Sequence, residues 1–253
     1  MTETHERDHR LPPGALMVSP PLAVTFDFWN TLFRSGEGGQ PARARRLAPW
    51  LRASEAAVQA ALVEGFERHV AEWRAGRHWG AREFARVLLD RFSVDGPFDR
   101  LDELTRLIEI SGVGLGEHPV DGAREAVEKL RGAGVKLGVI SDTGFSPGRV
   151  LRGLLGRAGL LHRFERAALT FSDEVGVPKP NPRIFRAALD GLGVEPKHAV
   201  HVGDLRATDV AGARAVGMGS VRFMGCYNDG GGGPEAGIVI SRLEDLPAAL
   251  DIR

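Results

Sequence analysis

The sequence predicts an α/β fold: a doubly wound parallel sheet, a Rossmann-like core, interrupted by a block of helices. Three observations predict it. From about residue 116 onward, short apolar runs of strand length alternate with helical stretches, the pattern of parallel strands joined by crossover helices. A first apolar run, "LAVTFD" at residues 22–27, stands apart from the others. Between them, residues 35–115 keep a helical period with no strand pattern.

Residues 1–20 open the chain with "MTETHERDHRLPPGAL", which has no apolar region of signal-peptide type, and read as a flexible tail. "RSGEGGQ" at 34–40 reads as a flexible connector. In the helical block Val58, Leu62, Phe66, Val70 and Trp73 recur at spacings of four, four, four and three. That spacing makes one face of a helix, which Ser54 can cap. "AREFARVLLDRF" and "DRLDELTRLIEI" continue in the same style.

After the block, "DGAREAVEKLRGAG" is a helix ended by glycine, and "VKLGVISD" (135–142) is a strand. "PGRVLRGLLGRAGL" is helical, "RAALTFSD" a strand, and "NPRIFRAALDGLG" a helix with Pro182 in its first turn. "HAVHVGD" is a strand, "TDVAGARAVG" a helix and "MGSVRFM" a strand. "GIVISRLEDLPAAL" closes with a strand and a helix, after a loop, "NDGGGGPEAG" (228–237), expected to be mobile. The expected division is therefore a core at 21–34 and 116–253 and a helical insertion at 35–115.

Composition narrows the function. The 33 basic residues balance the 33 acidic ones, so the chain carries no electrostatic footprint for nucleic acid. No apolar run approaches the roughly 20 residues of a membrane helix. A single cysteine, Cys226, excludes an internal disulfide and a Cys-rich zinc site, and points to a reducing cytoplasm. Only four of the 33 basic residues are lysine. The composition leaves the oligomeric state open.

Ligands of open parallel sheets bind outside the carboxyl ends of the strands. Here the strands end in polar residues: Asp27 on the first, Ser141, Asp142 and Thr143 on the next, and Asp204 on a later one with Asp209 five residues on. Lys179 stands between two prolines in "GVPKPNP". Any one of these has a plain reading as a helix cap, turn former or solvated loop residue. Their joint occurrence points to phosphoryl transfer. Facing carboxylates repel unless a cation lies between them, and oxygen ligands suit magnesium. An aspartate can attack phosphorus, while hydroxyls and a lysine stabilise the transferring oxygens.

The sequence resembles the haloacid dehalogenase superfamily, mostly phosphatases, over about residues 22–245. "FDFWNTL" is similar to its first motif, with Asp27 at the nucleophile; "VISDT" to its second, with Ser141 at the phosphate-binding hydroxyl and Asp142 and Thr143 beside it. "GVPKPNPRIF" is similar to the third, with Lys179 as the charge-neutralising lysine, and "HVGDLRATDVAGA" to the fourth, with Asp204 as metal ligand and Asp209 as supporting acid. The resemblance implies Mg2+, a small phosphorylated substrate and a helical cap domain inserted between the first two motifs. Cap contacts do not carry over by motif. "EWRAGRHWG" offers Arg77 and His78 as substrate-facing residues, against a plainer reading that buries its tryptophans in the cap.

Trp29 departs from the phosphatase pattern, which places a second aspartate two residues after the nucleophile. Trp29 can lend a backbone carbonyl to the metal but cannot serve as general acid, because indole N–H is a donor only. The resemblance then allows a phosphatase acting on good leaving groups or with a proton carrier from elsewhere, a weakly active or non-catalytic binding protein, or a 2-haloacid dehalogenase. The dehalogenase branch also lacks that second aspartate, but uses no magnesium.

Overall fold

The computed structural model describes residues 19–36, 39–94 and 99–252. The tail expected at 1–20 therefore lies outside them except for its last two residues. Strand β1 (Ala23–Phe26) is followed by a short β2 (Phe33–Arg34). Four helices come next: α1 (Gly39–Leu51), α2 (Glu55–Arg74), α3 (Ala81–Arg91) and α4 (Asp99–Ser111). The core resumes with β3 (His118–Pro119), α5 (Ala123–Gly132), β4 (Lys136–Ser141) and α6 (Gly148–Arg157). Then come β5 (Leu169–Phe171), α7 (Ser172–Val175), α8 (Pro182–Leu192), β6 (Ala199–Gly203) and α9 (Ala211–Val216). The described chain closes with β7 (Gly219–Phe223), β8 (Ile238–Ile240) and α10 (Leu246–Ala249).

Six strands form one sheet in the order β5-β4-β1-β6-β7-β8, every neighbouring pair parallel. Side chains alternate between the two faces of such a sheet, and both faces are covered. Val24, Phe26, Leu137, Val139, Val200 and Val202 pack on one side with Val127, Leu130, Leu151 and Leu155 from α5 and α6. Ala23, Ile140 and Ala199 pack on the other with Ile184, Phe185, Ala188 and Ala213 from α8 and α9. Each fully buried Leu or Phe contributes about 1.5–3 kcal/mol. Strands of three to six residues rely on both layers, since neither face could be left to water.

The helical segment has its own core, built from Leu47, Leu51, Val58, Leu62, Phe84, Leu88, Leu104 and Ile108. Ser54 caps α2 as expected, accepting from the Ala57 N–H at 3.2 Å. The apolar face of α2 divides, however. Val58 and Leu62 are fully buried, whereas Phe66 is 49% exposed. The sequence alone shows only that these residues share a face. The structure shows that the face outruns its own core.

Two further expectations change. The connector at 34–40 is not wholly flexible: Phe33 and Arg34 pair antiparallel with Pro119 and His118 where the chain leaves and re-enters the sheet domain, while Glu37 and Gly38 lie outside the described residues. The glycine-rich loop at 228–237 is held at two points. Asp229 Oδ2 accepts from the Arg206 N–H at 2.8 Å, and Glu235 forms a two-pronged pair with Arg222 at 2.7 and 2.8 Å.

Candidate active site

β1 sits between β4 and β6, and the chain runs outward from it in both directions. This is the switch point at which open α/β sheets bind ligands. Asp27, Asp142 and Asp204 each follow the last residue of one of these three strands, so the parallel register brings them to the same edge. The loop after Asp27 turns at once. Leu32 and Phe33 both donate to the Phe28 carbonyl, and Asn30 takes a left-handed φ of 59°, which asparagine tolerates.

Lys179 enters from the loop before α8, with Pro178 and Pro180 on either side. Its ammonium is 3% exposed and joins two carboxylates, Asp27 Oδ1 at 2.6 Å and Asp209 Oδ1 at 2.7 Å. Burial pulls the ammonium down, but Asp209, Asp27 and Asp142 more than restore it, so it stays charged. Asp209 is held well below the usual carboxylate range: burial opposes its charge, and Lys179 and His201 outweigh burial.

His201 is buried within the sheet and acts as a strut. Thr25 and His201 are register partners on β1 and β6, on the face opposite Val24 and Val202. His201 Nε2 donates to Asp209 Oδ1 at 3.1 Å, and Thr25 Oγ1 donates to Nδ1 at 2.9 Å. Burial lowers the imidazole's pKa and keeps it neutral, which fixes this order of donors. Two polar residues on the inner positions of otherwise apolar strands were the signal in the sequence. Asp209 itself rides a wide turn at Arg206–Val210 and accepts from the Leu205 N–H at 2.9 Å. Gly203 is required here, because a Cβ would drive into the Asp209 side chain.

Asp27 and Asp204 are differently placed. Burial raises Asp27 to about 7, with Asp209 adding to the rise and Lys179 opposing it. Burial, then Asp27 and Asp209, raise Asp204 to about 8. These two carboxylates carry more negative charge than Lys179 neutralises. Two buried hydroxyls on the adjoining loops, Thr31 Oγ1 and Thr208 Oγ1, have no partner, although buried polar groups ordinarily find one. Neighbouring carboxylates that share one ammonium with a third, and that offer oxygen ligands, fit a hard divalent cation. Among the described residues no group of three or more His, Cys, Asp or Glu side chains is arranged to hold a metal, so backbone oxygen or water would have to complete the shell.

Ser141 is fully buried at the end of β4, its hydroxyl 3.2 Å from the Asp142 carbonyl. Thr143 is turned toward structural partners: its N–H donates to Ser172 Oγ at 2.8 Å and its hydroxyl to Asp173 Oδ1 at 2.9 Å. Asp142 Oδ1 accepts from the Lys179 N–H at 2.8 Å, and Oδ2 accepts from Trp73 Nε1 at 2.9 Å. Burial raises the Asp142 carboxyl, and Lys179 and Trp73 offset part of that rise.

A cavity of about 410 Å³ opens beside these residues, between the helical segment and the loops after β1 and β4. Trp29 and Asp142 form its wall on the sheet side, and Arg43, Phe66 and His69 on the helical side. Arg77 and His78 do not line it. Arg77 is exposed, and its Nε binds Glu72 Oε2 at 2.5 Å; His78 is half-buried behind Gly80. The tryptophans of that segment part company: Trp79 is 7% exposed in the helical core, while Trp73 reaches Asp142. Arg43 and His69 carry no motif, and nothing in their sequence surroundings distinguishes them.

Fold and site together define a doubly wound α/β protein of hydrolase type, with carboxylates and a lysine converging at the switch point. The chain belongs to the haloacid dehalogenase-like hydrolase family, which matches residues 21–217. It is 42% identical over 98 residues to a glyceraldehyde 3-phosphate phosphatase of Methanopyrus kandleri, covering 36% of this chain and 41% of that protein. The chain thus spans about two fifths of the length of the curated relatives it matches. Among solved structures it resembles a 2-haloacid dehalogenase from Pseudomonas syringae pv. Tomato DC3000, with a TM-score of 0.68 and 25% identity, over 90% of this chain and 97% of that one. It also resembles a HAD phosphatase from Thermococcus onnurineus, with a TM-score of 0.61 and 26% identity, over 91% and 98%.

Proposed function

We propose that the protein is a magnesium-dependent phosphatase of small phosphorylated metabolites, acting through an aspartyl-phosphate on Asp27. The observation that carries this reading is the arrangement of charge. Lys179 is shared between Asp27 and Asp209, while Asp204, beside Asp27, has no ion-pair partner of its own among the described residues. Asp27, Asp204 and the Trp29 carbonyl would hold Mg2+, with Asp209 as supporting acid. When bound, the cation would supply charge neutralisation for the carboxylates and for an incoming phosphate.

Lys179 takes Asp27 Oδ1, which leaves Oδ2 to attack phosphorus. The bond from phosphorus to the leaving oxygen breaks, and a water then displaces Asp27 to release phosphate. Ser141 Oγ and Lys179 stabilise the oxygens of the transferring group. His201 and Thr25 hold Asp209, and Asp209 holds Lys179 in place. The helical segment, residues 35–115, serves as a cap that excludes water and selects the substrate. Trp29 supplies no proton to the leaving group, so substrates with good leaving groups react fastest. The single cysteine suits a reducing cytoplasm, and no helix among the described residues is long and apolar enough to cross a membrane.

Phosphate release from acetyl phosphate and para-nitrophenyl phosphate tests the reading. Turnover should require magnesium and vanish in Asp27→Asn; activity unchanged in EDTA would refute the magnesium dependence. Likeness to the Pseudomonas dehalogenase, together with Trp29, favours 2-haloacid dehalogenation as a second reading. That reaction would release chloride from 2-chloropropionate without magnesium. Metal or phosphate affinity without any turnover would mark a binding protein instead.

A further inference from the structure

The cavity between the helical segment and the catalytic edge has a charge pattern of its own. Arg43 projects from α1 to its wall. The guanidinium lies 5.4 Å from the centre of the Phe145 ring, and Nη2 donates to Ser146 Oγ at 3.3 Å. A Cβ at Gly112 would collide with it, so that glycine makes room for the planar group. Among the described residues no carboxylate lies within ion-pair distance of Arg43. Its nearest ring is Phe145, and burial lowers its pKa to about 10, a fall that the charge of Glu117, beyond ion-pair distance, partly opposes. A half-buried cation matched to a ring and a hydroxyl has donor capacity left, because guanidinium presents five N–H groups in a fixed fork.

The other two titratable groups on the wall, Asp142 and His69, do not compete for it. Asp142 is the carboxylate there, and both of its oxygens are engaged, by the Lys179 N–H and Trp73 Nε1. His69 Nδ1 donates to the Trp79 carbonyl at 2.7 Å, and burial lowers the ring's pKa. The neutral ring therefore presents Nε2, which lies beside Gly144, as an acceptor only. Phe66 supplies an apolar face that is 49% exposed.

We propose that this cavity is a subsite for the substrate's far end, and that it takes a phosphate ester whose tail carries a second anionic group, held by Arg43 and Ser146. A tail hydroxyl would in addition donate to His69 Nε2. The inference rests on the phosphatase reading for what happens at Asp27, but the subsite is a matter of binding and can be measured without turnover.

Matched esters differing only in the tail test it: 3-phosphoglycerate against glycerol 3-phosphate for a carboxylate, and propane-1,3-diyl bisphosphate against 3-hydroxypropyl phosphate for a second phosphate. Wild-type kcat/KM should favour the anionic member of at least one pair by about 10- to 100-fold, mostly through KM, the range of a hydrogen bond to a charged group. Which pair responds tells a carboxylate tail from a phosphate tail. Arg43→Met should bring that ratio near one, Arg43→Lys should keep part of it, and Ser146→Ala should lower it less. Thermal shifts with the same esters read the subsite separately, and melting of each variant without ligand checks its fold. Equal preference within both pairs in turnover and in thermal shift would overturn the subsite while leaving the phosphatase reading intact. Absence of phosphate release from any ester, with a larger thermal shift from the anionic tails that Arg43→Met removes, would overturn the phosphatase reading and leave the subsite standing.

Discussion

Trp73 Nε1 donates to Asp142 Oδ2 at 2.9 Å, and the other oxygen of the same carboxylate accepts from the backbone N–H of Lys179 at 2.8 Å. One aspartate therefore joins a helix of the inserted segment to the loop that carries the site's lysine. Trp73→Phe keeps the aromatic body and removes the donor, leaving a buried carboxylate oxygen without a partner. A hydrogen bond to a charged group contributes about 1.5–3 kcal/mol. We expect a lower melting temperature, and a higher KM if the helical segment closes over substrate. Calorimetry and steady-state kinetics on the variant check both; unchanged values for both would show that this contact does not hold the two parts together.

Lys179→Met should be more damaging than its size suggests. It strands Asp209 as a buried charge without its ammonium, a change that typically costs about 3–5 kcal/mol, and drives Asp27 toward its neutral form. Chemical denaturation should show the loss of stability at neutral pH, smaller at acidic pH where Asp209, no longer held low by the ammonium, takes up a proton. Phosphatase activity should fall below detection. A variant as stable as the wild type would show that the carboxylates do not depend on this ammonium.

Magnesium binding should strengthen as pH rises. Asp27 and Asp204 have pKa values raised to about 7 and about 8, both far above an ordinary aspartate, so the native metal-free protein holds protons that the unfolded chain has lost. The contribution of these two groups to stability is therefore most favourable near pH 4 and declines through pH 7 to 8. A cation must displace those protons. Isothermal titration should find magnesium affinity increasing between pH 5.5 and about 8, with proton release on binding, and the magnesium-induced rise in melting temperature should grow over the same interval. Affinity that is flat across this range would exclude the two carboxylates as ligands.

Gly203→Ala should disable the site without touching a charged group. Its Cβ meets the Asp209 side chain, which cannot retreat because Lys179, His201 and the Leu205 N–H hold it. Overpacking of this kind costs about 1–3 kcal/mol. Activity should fall together with magnesium-induced stabilisation, read in the same thermal melts; a fully active variant would mean that Asp209 can shift at no cost.

Trp29→Asp asks what the missing acid is worth. General acid–base assistance contributes about 10²–10⁴-fold. We expect alkyl phosphate turnover to rise and acetyl phosphate turnover to change little. The indole packs edge-on to Phe28, at 4.9 Å between ring centres, so a melt must accompany the kinetics.

Much of this protein was legible in its sequence. Alternating apolar runs and helical periods specify a parallel α/β core with a helical insertion, because burial on both sheet faces imposes that pattern. Asp27, Asp142 and Asp204 follow directly from strand ends, and parallel strands in register bring such ends to one edge. Local chemistry also foretold the Ser54 cap and Pro182 in the first turn of α8. Tertiary structure decided the rest. Which carboxylate Lys179 pairs with, that His201 braces Asp209, and that Trp73 meets Asp142 are contacts between residues 8 to 152 positions apart in the chain. The cavity shows the limit best. Arg43 and His69 reach it while Arg77 and His78 turn away, because the way the helical segment packs over the sheet, and not any local pattern, selects which side chains face the site.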